Sequence, residues 1–181
     1  YDLCNAIAYA HSRHVLHRDI KPSNVLIGDF GETVVVDWGL AKVRRASPVR
    51  SGSSPDDATI QGMGAGVGTS GIRTSVGAIM GTPVYMPPEQ AKGLPADERA
   101  DIYSLGAVLY EILTGRPPFK GKSMDEILSK VIRDMPVSPS SIDSKIEQNL
   151  SDICLRALAK QPEDRYQTAD RLGKAVNRWK P

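Results

Sequence analysis

Residues 17–24 read His17-Arg18-Asp19-Ile20-Lys21-Pro22-Ser23-Asn24, and this polar stretch sets the interpretation of the whole chain. It follows an apolar pair at 15–16 and precedes a β-branched run at 25–27, so it is predicted to be a loop that leads into a strand. A second β-branched run at 33–36 comes after the turn residues of 28–32, which predicts a small β-hairpin. The hairpin would return the triplet Asp37-Trp38-Gly39 to the neighbourhood of the loop.

The side chains of this loop match the needs of phosphoryl transfer. That reaction requires a carboxylate that orients an attacking hydroxyl and accepts its proton, oxygen ligands for Mg²⁺, and a cation near the transferred phosphate. Asp19, Asn24 and Lys21 can supply these groups from one loop, and Asp37 offers a second carboxylate for the metal. A single Asp is more commonly a turn or cap residue, but the complete ordered set favours a catalytic, Mg²⁺-binding loop.

Helical spacing dominates the remainder of the sequence. Apolar residues recur at helical intervals over 1–13, and the pattern over 101–114 is apolar around so much of its surface that it predicts a central helix. The segments 123–126 and 144–147 have the Ser-x-x-Glu pattern of a capping box and predict the starts of two further helices. A last helix is predicted from about Thr168. The fold class predicted is therefore mainly α with a small β-hairpin.

Composition excludes several classes of protein. The 181 residues carry 23 basic and 21 acidic side chains, a formal charge of +2, which favours neither nucleic acid nor an anionic membrane as the main partner. Cys4 and Cys154 lie far apart in apolar surroundings, which argues against a disulfide scaffold and fits a reducing, cytoplasmic compartment, with a membrane tether outside this span left open. No apolar run reaches the roughly 18 residues of a membrane span. The start at Tyr1 shows no signal-peptide pattern.

One long segment lacks the patterns of helix or strand. Residues from about 44 to 77 are rich in Gly, Ser, Thr and Asp, and loops longer than about 12–15 residues are usually functional or disordered. A G-x-G-x-x-G pattern at 66–71 lies inside this segment with no strand before it. A phosphate-covering loop needs flanking strands, so we interpret the match as an accident of composition.

These motifs resemble the eukaryotic-type serine/threonine protein kinases, and the wording is similar to bacterial members of that family. The family's catalytic loop, H-R-D-x-x-x-x-N, corresponds to 17–24, and its metal-binding D-F-G corresponds to 37–39. Its A-P-E motif corresponds to Pro87-Pro88-Glu89, and the resemblance continues through a central helix at 101–107 as far as Arg165.

The resemblance covers essentially the whole chain and implies the C-terminal, helical lobe of the α+β protein kinase fold. Its parts would be an activation segment at 37–89, longer than is usual in the family, and a helical subdomain at 97–179. No counterpart of the family's N-terminal lobe is recognisable, because neither a glycine-rich loop nor a strand lysine precedes the catalytic loop. We expect that lobe to be a partner missing from this sequence and required in cis.

The resemblance also implies a role for individual residues. Those that would act on substrate, ATP or Mg²⁺ are Asp19 as catalytic base, Lys21 on the γ-phosphate, Asn24 and Asp37 on Mg²⁺, and Leu26 under the adenine ring. Those that would regulate are Arg18 as receiver of a phosphate on Thr74 or Ser75, and Thr82, which would reach back to Asp19 and Lys21. Those that would be structural are His17, Trp38, Gly39 and a buried Glu89–Arg165 ion pair, together with Asp101, which would accept backbone hydrogen bonds from the catalytic loop.

The reaction so implied is transfer of the γ-phosphoryl group of Mg·ATP to Ser or Thr hydroxyls of proteins, including autophosphorylation. Lys21 favours Ser/Thr over Tyr as acceptor, because the Ser/Thr branch of the family has lysine two positions after the catalytic Asp. Trp38 in place of Phe is expected to be compatible with activity, since both are large aromatics. Two alternatives stay open, a pseudokinase-like docking module and an inactive truncated fragment. His11 and His14 are interpreted as surface or helix-end residues, and Asp101 could also be a simple N-cap.

Overall fold

The structure, a computed structural model, describes residues 1–43 and 83–179. Helix α1 (Asp2–Ser12) forms where the sequence predicts it, because Cys4, Ile7 and Ala10 recur every three residues and form one buried face. This face packs mainly against helix α7 (Ala169–Arg178), where Leu172 and Gly173 are buried. The first and last helices of the chain are therefore neighbours.

Two small antiparallel sheets lie on either side of the loop at 17–24. Strand β2 (Val25–Ile27) pairs with β3 (Thr33–Val35), with Leu26 opposite Val34, which confirms the predicted hairpin. Strand β1 (Val15–Leu16) pairs with β4 (Lys42–Val43), a pairing that the sequence did not predict. Two-residue strands are too short to produce a periodic pattern, so only the chain path reveals this second sheet.

Helix α3 (Glu98–Thr114) is the centre of the helical body and confirms the predicted central helix. Its residues from Ala100 to Val108 are all buried. Asp97 caps its N-terminus by accepting from the Arg99 amide, so the interpretation of Asp101 as the N-cap is wrong. The helix ends at Gly115, whose left-handed φ of 67° is a conformation that suits glycine.

Shorter helices complete the body. They are α2 (Pro88–Ala91), α4 (Met124–Arg133), α5 (Pro139–Ile142) and α6 (Gln148–Ala157). The predicted cap at Ser123 is present, since its side chain accepts from the Glu126 amide. The second predicted capping box is wrong, because α6 begins at Gln148 without a side-chain cap.

The core lies where α3 meets α6. A Cβ at Gly106 would lie 2.7 Å from the Cβ of Ala157, so only glycine allows the two helices to approach this closely. Cys4 and Cys154 are buried free thiols, and burial raises the pKa of both. In the described ranges 1–43 and 83–179, no helix is both long and apolar enough to cross a membrane.

Candidate active site

The loop at 17–24 brings three predicted site residues together around one carboxylate. The Lys21 ammonium donates to Asp19 Oδ2 at 2.6 Å, and the Asn24 amide nitrogen donates to the same oxygen at 3.2 Å and to the Asp19 carbonyl at 2.8 Å. A short 3₁₀ turn (Pro22–Asn24) folds Asn24 back toward Asp19. Among the described residues, none donates to Asp19 Oδ1, so this oxygen is available to an incoming group.

The His17 side chain fixes the backbone of this loop through hydrogen bonds of its ring. Its side chain is completely buried, its Nε2 lies 3.1 Å from the Val36 carbonyl, and its Nδ1 accepts from the Asp19 amide at 3.2 Å. This pattern requires the tautomer with hydrogen on Nε2, because only a ring nitrogen without hydrogen can accept from an amide. His17 therefore connects the loop at 17–24 to the residue that follows strand β3.

Asp101 anchors the same loop from helix α3. Its fully buried carboxylate accepts from the backbone amides of His17 at 2.9 Å and Arg18 at 2.8 Å. These bonds offset the cost of Arg18 at φ 69°, since non-glycine residues rarely adopt this left-handed conformation. The resemblance implies these contacts, and they give Asp101 a structural purpose that its position in the first turn of α3 does not reveal.

His11 completes the environment of Asp101, and this contact was missed. Its Nε2 lies 2.8 Å from Asp101 Oδ2, and only 9% of its side chain is exposed. The prediction that His11 is a surface residue is therefore wrong, although its place in the last turn of α1 is correct. A histidine seven positions after the buried Cys4 is on the inner face of α1, and this spacing was the available signal.

Arg18 presents a partly unused guanidinium at the edge of the site. Its Nε is buried and has no hydrogen-bond partner within the described part of the chain, and the same holds for Gln90 Oε1. Both residues line a recess of about 240 Å³ together with Leu40 and Leu94. A cation with an open donor fits the predicted role of Arg18 as a phosphate receiver. The predicted partners Thr74 and Ser75 lie outside the described residues, as does Thr82.

Asp37 and Asn24 are the residues that could hold a divalent metal. The Val36 amide donates to the Asn24 carbonyl at 2.9 Å, so Asp37 follows directly after a backbone contact with the catalytic loop. The Asn24 side-chain nitrogen donates to Asp19, so the side-chain oxygen of Asn24, Oδ1, is left to bind a ligand. Asp37 is exposed with a left-handed φ of 62°. One amide oxygen and one carboxylate are the hard oxygen ligands that Mg²⁺ prefers, so the donor set fits this metal.

Trp38 has an indole N–H that phenylalanine lacks, and this donor finds an acceptor three residues earlier in the chain. Its indole Nε1 donates to the Val35 carbonyl at 3.0 Å, and its ring packs against His17 with centroids 4.5 Å apart. The following Gly39 is close to the metal-binding candidate, since a Cβ there would lie 3.2 Å from Asp37 Oδ1. Tryptophan is therefore accommodated at this position by an ordinary hydrogen bond and an aromatic contact.

Leu26 lies on an open apolar surface of the hairpin. It is 53% exposed, and its cross-strand partner Val34, which lies on the same face of the hairpin, is 48% exposed. Apolar side chains exposed together usually mark a surface that another group covers. This exposure is compatible with the predicted adenine contact of Leu26, which stays a prediction.

Sequence reasoning also missed a contact that holds the segment before Pro87. The Tyr85 hydroxyl donates to the Glu111 carboxylate, a contact between the 3₁₀ turn Pro83–Tyr85 and helix α3. Burial and this hydrogen bond raise the pKa of Tyr85 well above its usual value. The pairing joins residues 26 positions apart, and no local pattern indicates it. It fixes the turn that leads to Pro87 against the central helix.

The comparisons with known proteins agree with this geometry. Residues 1–175 match the family described as "Protein kinase domain". The chain is 38% identical over 168 residues to serine/threonine-protein kinase PknB of Mycobacterium tuberculosis, an alignment that covers 93% of the chain and 23% of that protein. It is 39% identical over 168 residues to PknB of Mycolicibacterium smegmatis, with the same coverage. It is 37% identical over 181 residues to serine/threonine-protein kinase PknD of Protochlamydia amoebophila, covering 98% of the chain and 18% of that protein.

The chain belongs to the protein kinase family, and these three relatives carry the names of bacterial serine/threonine kinases. It spans about a fifth to a quarter of the length of the relatives it matches.

Proposed function

We propose that this chain is the C-terminal lobe of a serine/threonine protein kinase, which transfers the γ-phosphoryl group of ATP to hydroxyls of proteins. The observation that carries the proposal is the arrangement of Asp19, whose Oδ2 receives Lys21 and Asn24 while Oδ1 stays open. A carboxylate held in this way can accept a hydrogen bond from a substrate hydroxyl in one fixed orientation. The names of the relatives support the acceptor class.

Asp19 orients the hydroxyl and receives its proton as the oxygen attacks. Fixing one carboxylate oxygen with two donors restricts rotation of the side chain, so the free oxygen points in one direction. Lys21 neutralises part of the charge on Asp19 in the resting site, and its ammonium has further hydrogens for a phosphate oxygen. The Asp101 contacts with the His17 and Arg18 amides hold the loop that carries both residues.

ATP and Mg²⁺ are the cofactors that this site would use. Asn24 and Asp37 would hold the metal, and Leu26 would contact the base. Mg²⁺ neutralises negative charge on the phosphate oxygens and so favours transfer. In the described ranges, no group of three or more His, Cys, Asp or Glu side chains could hold a metal alone. Two protein ligands suit Mg²⁺, which usually keeps several waters and phosphate oxygens.

Protein segments with Ser or Thr hydroxyls are the proposed substrates, and the cytoplasm is the proposed compartment. Buried free thiols at Cys4 and Cys154 support a reducing environment. The exposed apolar surface around Leu26 supports the proposal that an N-terminal lobe covers the hairpin and supplies the other wall of the nucleotide site. Without that lobe we expect the 181-residue chain to bind Mg·ATP weakly and to transfer phosphate slowly or not at all.

The experiment that tests the proposal identifies the acceptor. The natural protein, including any sequence that precedes Tyr1 in the gene, is incubated with γ-labelled ATP, Mg²⁺ and casein. Acid hydrolysis and separation of the phosphoamino acids should give labelled phosphoserine and phosphothreonine. Label found only on phosphotyrosine would overturn the acceptor class. If neither casein nor the protein itself became labelled, the result would favour a docking module.

A further inference from the structure

A basic groove lies between helices α6 and α7, and none of its residues belongs to the candidate active site. The groove has a volume of about 410 Å³. Its lining consists of Asn149, Ile153, Arg156, Tyr166, Arg171, Lys174, Ala175 and Arg178. Four of these eight residues are cations and none is a carboxylate, although the chain as a whole has a charge of only +2. The groove is therefore a local concentration of positive charge.

The spacing of the cations places them along one line. Arg171, Lys174 and Arg178 are three and then four positions apart on α7, so they occupy one face of that helix. Arg156 comes from α6, which packs against α7, and lines the groove with them. All four side chains are exposed. A ligand in the groove would meet cations from both helices.

The charges are mostly uncompensated. Within the described part of the chain, Arg156, Arg171 and Arg178 form no ion pair, and Lys174 pairs only with Asp170 in an exposed contact at 2.8 Å. Exposed pairs of this kind contribute little, so an anion can replace Asp170 at small cost. Arg178 lies in the last turn of α7, where a cation interacts favourably with the negative end of the helix dipole. That effect explains one of the four cations but not the three others.

An aromatic ring at the base of the groove contacts one of its arginines. The central carbon of the Arg156 guanidinium lies over the Tyr166 ring, 4.6 Å from the ring centroid, and this cation–π contact limits the movement of the side chain. Ile153 and Ala175 supply apolar surface beside this contact. A guanidinium group carries five N–H donors, more than one contact with a ring uses, and a pair of these donors matches two oxygens of a phosphate.

We propose that this groove binds a phosphorylated segment of a partner protein. Three arginines and one lysine around an apolar base suit phosphate groups on a peptide, since guanidinium groups bind phosphate at two points. A groove of this size holds side chains, whereas a bilayer surface would contact only its rim. A nucleic acid would need a longer basic track than the chain offers, with its net charge of +2.

The test measures binding alone and is independent of catalysis. The protein, in its full natural length, is titrated into a fluorescein-labelled peptide that carries two phosphoserines in an otherwise neutral sequence, and fluorescence anisotropy is recorded. The unphosphorylated peptide is titrated in parallel. We expect the phosphorylated peptide to bind at least about tenfold more tightly, and the Arg171→Ala/Arg178→Ala double variant to lose about tenfold of that affinity.

Matched variants separate the groove from general surface charge. Arg116→Ala and Arg133→Ala each remove an exposed arginine outside the groove and should leave the affinity unchanged. Arg171→Lys/Arg178→Lys keeps the charge but loses two-point contacts, so its affinity should fall between wild type and the alanine variant. All variants are at exposed positions, and unchanged melting temperatures would show that they fold normally.

Several results would overturn the proposal. Equal affinity for the two peptides would show that phosphate is not recognised, and equal losses in the control variants would place binding elsewhere. Tighter binding to phosphatidylserine vesicles or to duplex DNA at the same salt concentration would assign the groove to a membrane or to nucleic acid instead. Absence of peptide binding at millimolar concentration would show that the groove is only a solvated basic surface.

Discussion

The Glu89 carboxylate and the Arg165 guanidinium meet as a two-point ion pair across 76 positions of sequence. The two N–O distances are 2.7 and 2.8 Å, and Arg165 is completely buried. Its remaining N–H groups donate to the carbonyls of Ala159, Arg99 and Lys160, so all five guanidinium hydrogens have acceptors. The pair therefore ties α2 to the start of α3 and to the turn after α6.

Removing either partner of this pair should destabilise the fold strongly. Glu89→Ala and Arg165→Ala each leave a buried charge without its partner, which typically costs about 3–5 kcal/mol of unfolding free energy. The double variant should cost much less than the sum of the single variants, because no stranded charge remains in it. Urea denaturation of the four proteins measures these differences.

An exposed acid provides the control for this cycle. Glu163 is 69% exposed and lies 3.4 Å from Arg99, so Glu163→Ala should change stability by less than about 1 kcal/mol. Additive losses of that small size at Glu89 and Arg165 would contradict a buried, coupled pair.

Asp101→Asn should loosen the catalytic loop without removing a side chain. An amide in place of the carboxylate keeps one acceptor oxygen and turns a donor toward the His17 or Arg18 amide, so at least one buried hydrogen bond is lost. Such a loss costs about 1–3 kcal/mol. Hydrogen exchange at His17 and Arg18 should accelerate. Asp125→Asn on the exposed face of α4 is the control, and equal exchange in both variants would show that Asp101 does not hold the loop.

Lys160 should make stability rise with pH in the alkaline range. Its ammonium donates to the Val131 carbonyl at 2.7 Å and lies 4.4 Å from the centre of the Phe119 ring. Burial lowers its pKa from 10.5 to about 8, and the nearby Arg165 and Lys92 add to the lowering while Asp134 opposes it. Between these two values the unfolded chain holds a proton that the folded chain has released, so raising the pH favours the folded state.

The comparison with Lys160→Met isolates this effect from other alkaline titrations. The difference in unfolding free energy, wild type minus variant, should be constant below about pH 7 and should grow on the order of 1–2 kcal/mol by pH 10. This increase is smaller than the full pKa difference would give, because Lys160 is only half-buried and solvent screens its charge. A difference that stays flat or declines from pH 7 to pH 10 would show that its pKa is not lowered.

Phosphorylation of the segment before Gly81 should raise activity through Arg18. The resemblance places the acceptor at Thr74 or Ser75, with 69–70 as weaker candidates, and all lie outside the described residues. A phosphate there would give the unpartnered Arg18 Nε a charged acceptor. Mass spectrometry of active natural protein should detect it. Full activity in a variant with alanine at 69, 70, 74 and 75 would refute this regulation.

Much of the fold was predictable because its signals are local. The helix over 101–114, the hairpin around 28–32 and the cap at Ser123 each follow from residues close together in sequence. The pairing of β1 with β4 was not predictable, since two residues carry no period. The false capping box at 144–147 failed because the Asp143 carboxylate accepts from the Lys145 amide and forms a turn there instead.

The residues of the candidate site also fall into two groups, those with a local sequence signal and those without one. Asp19, Lys21 and Asn24 were identifiable because they stand on one turn. The contact of His11 with Asp101 spans 90 positions and that of Tyr85 with Glu111 spans 26, so neither has a local signature. Chemistry concentrated in one loop is visible in a sequence, whereas the buried contacts that hold the loop become visible only in the folded chain.

Asp19→Asn in the natural protein tests the central claim most directly. The amide keeps the size of the carboxylate but cannot accept the hydroxyl proton, and general-base catalysis contributes about 10²–10⁴-fold. Phosphate transfer from γ-labelled ATP to casein should therefore fall at least about a hundredfold, while the affinity for Mg·ATP, measured by calorimetry, should stay unchanged. Retention of most of the turnover by the Asp19→Asn protein would contradict the assignment of Asp19 as the catalytic base.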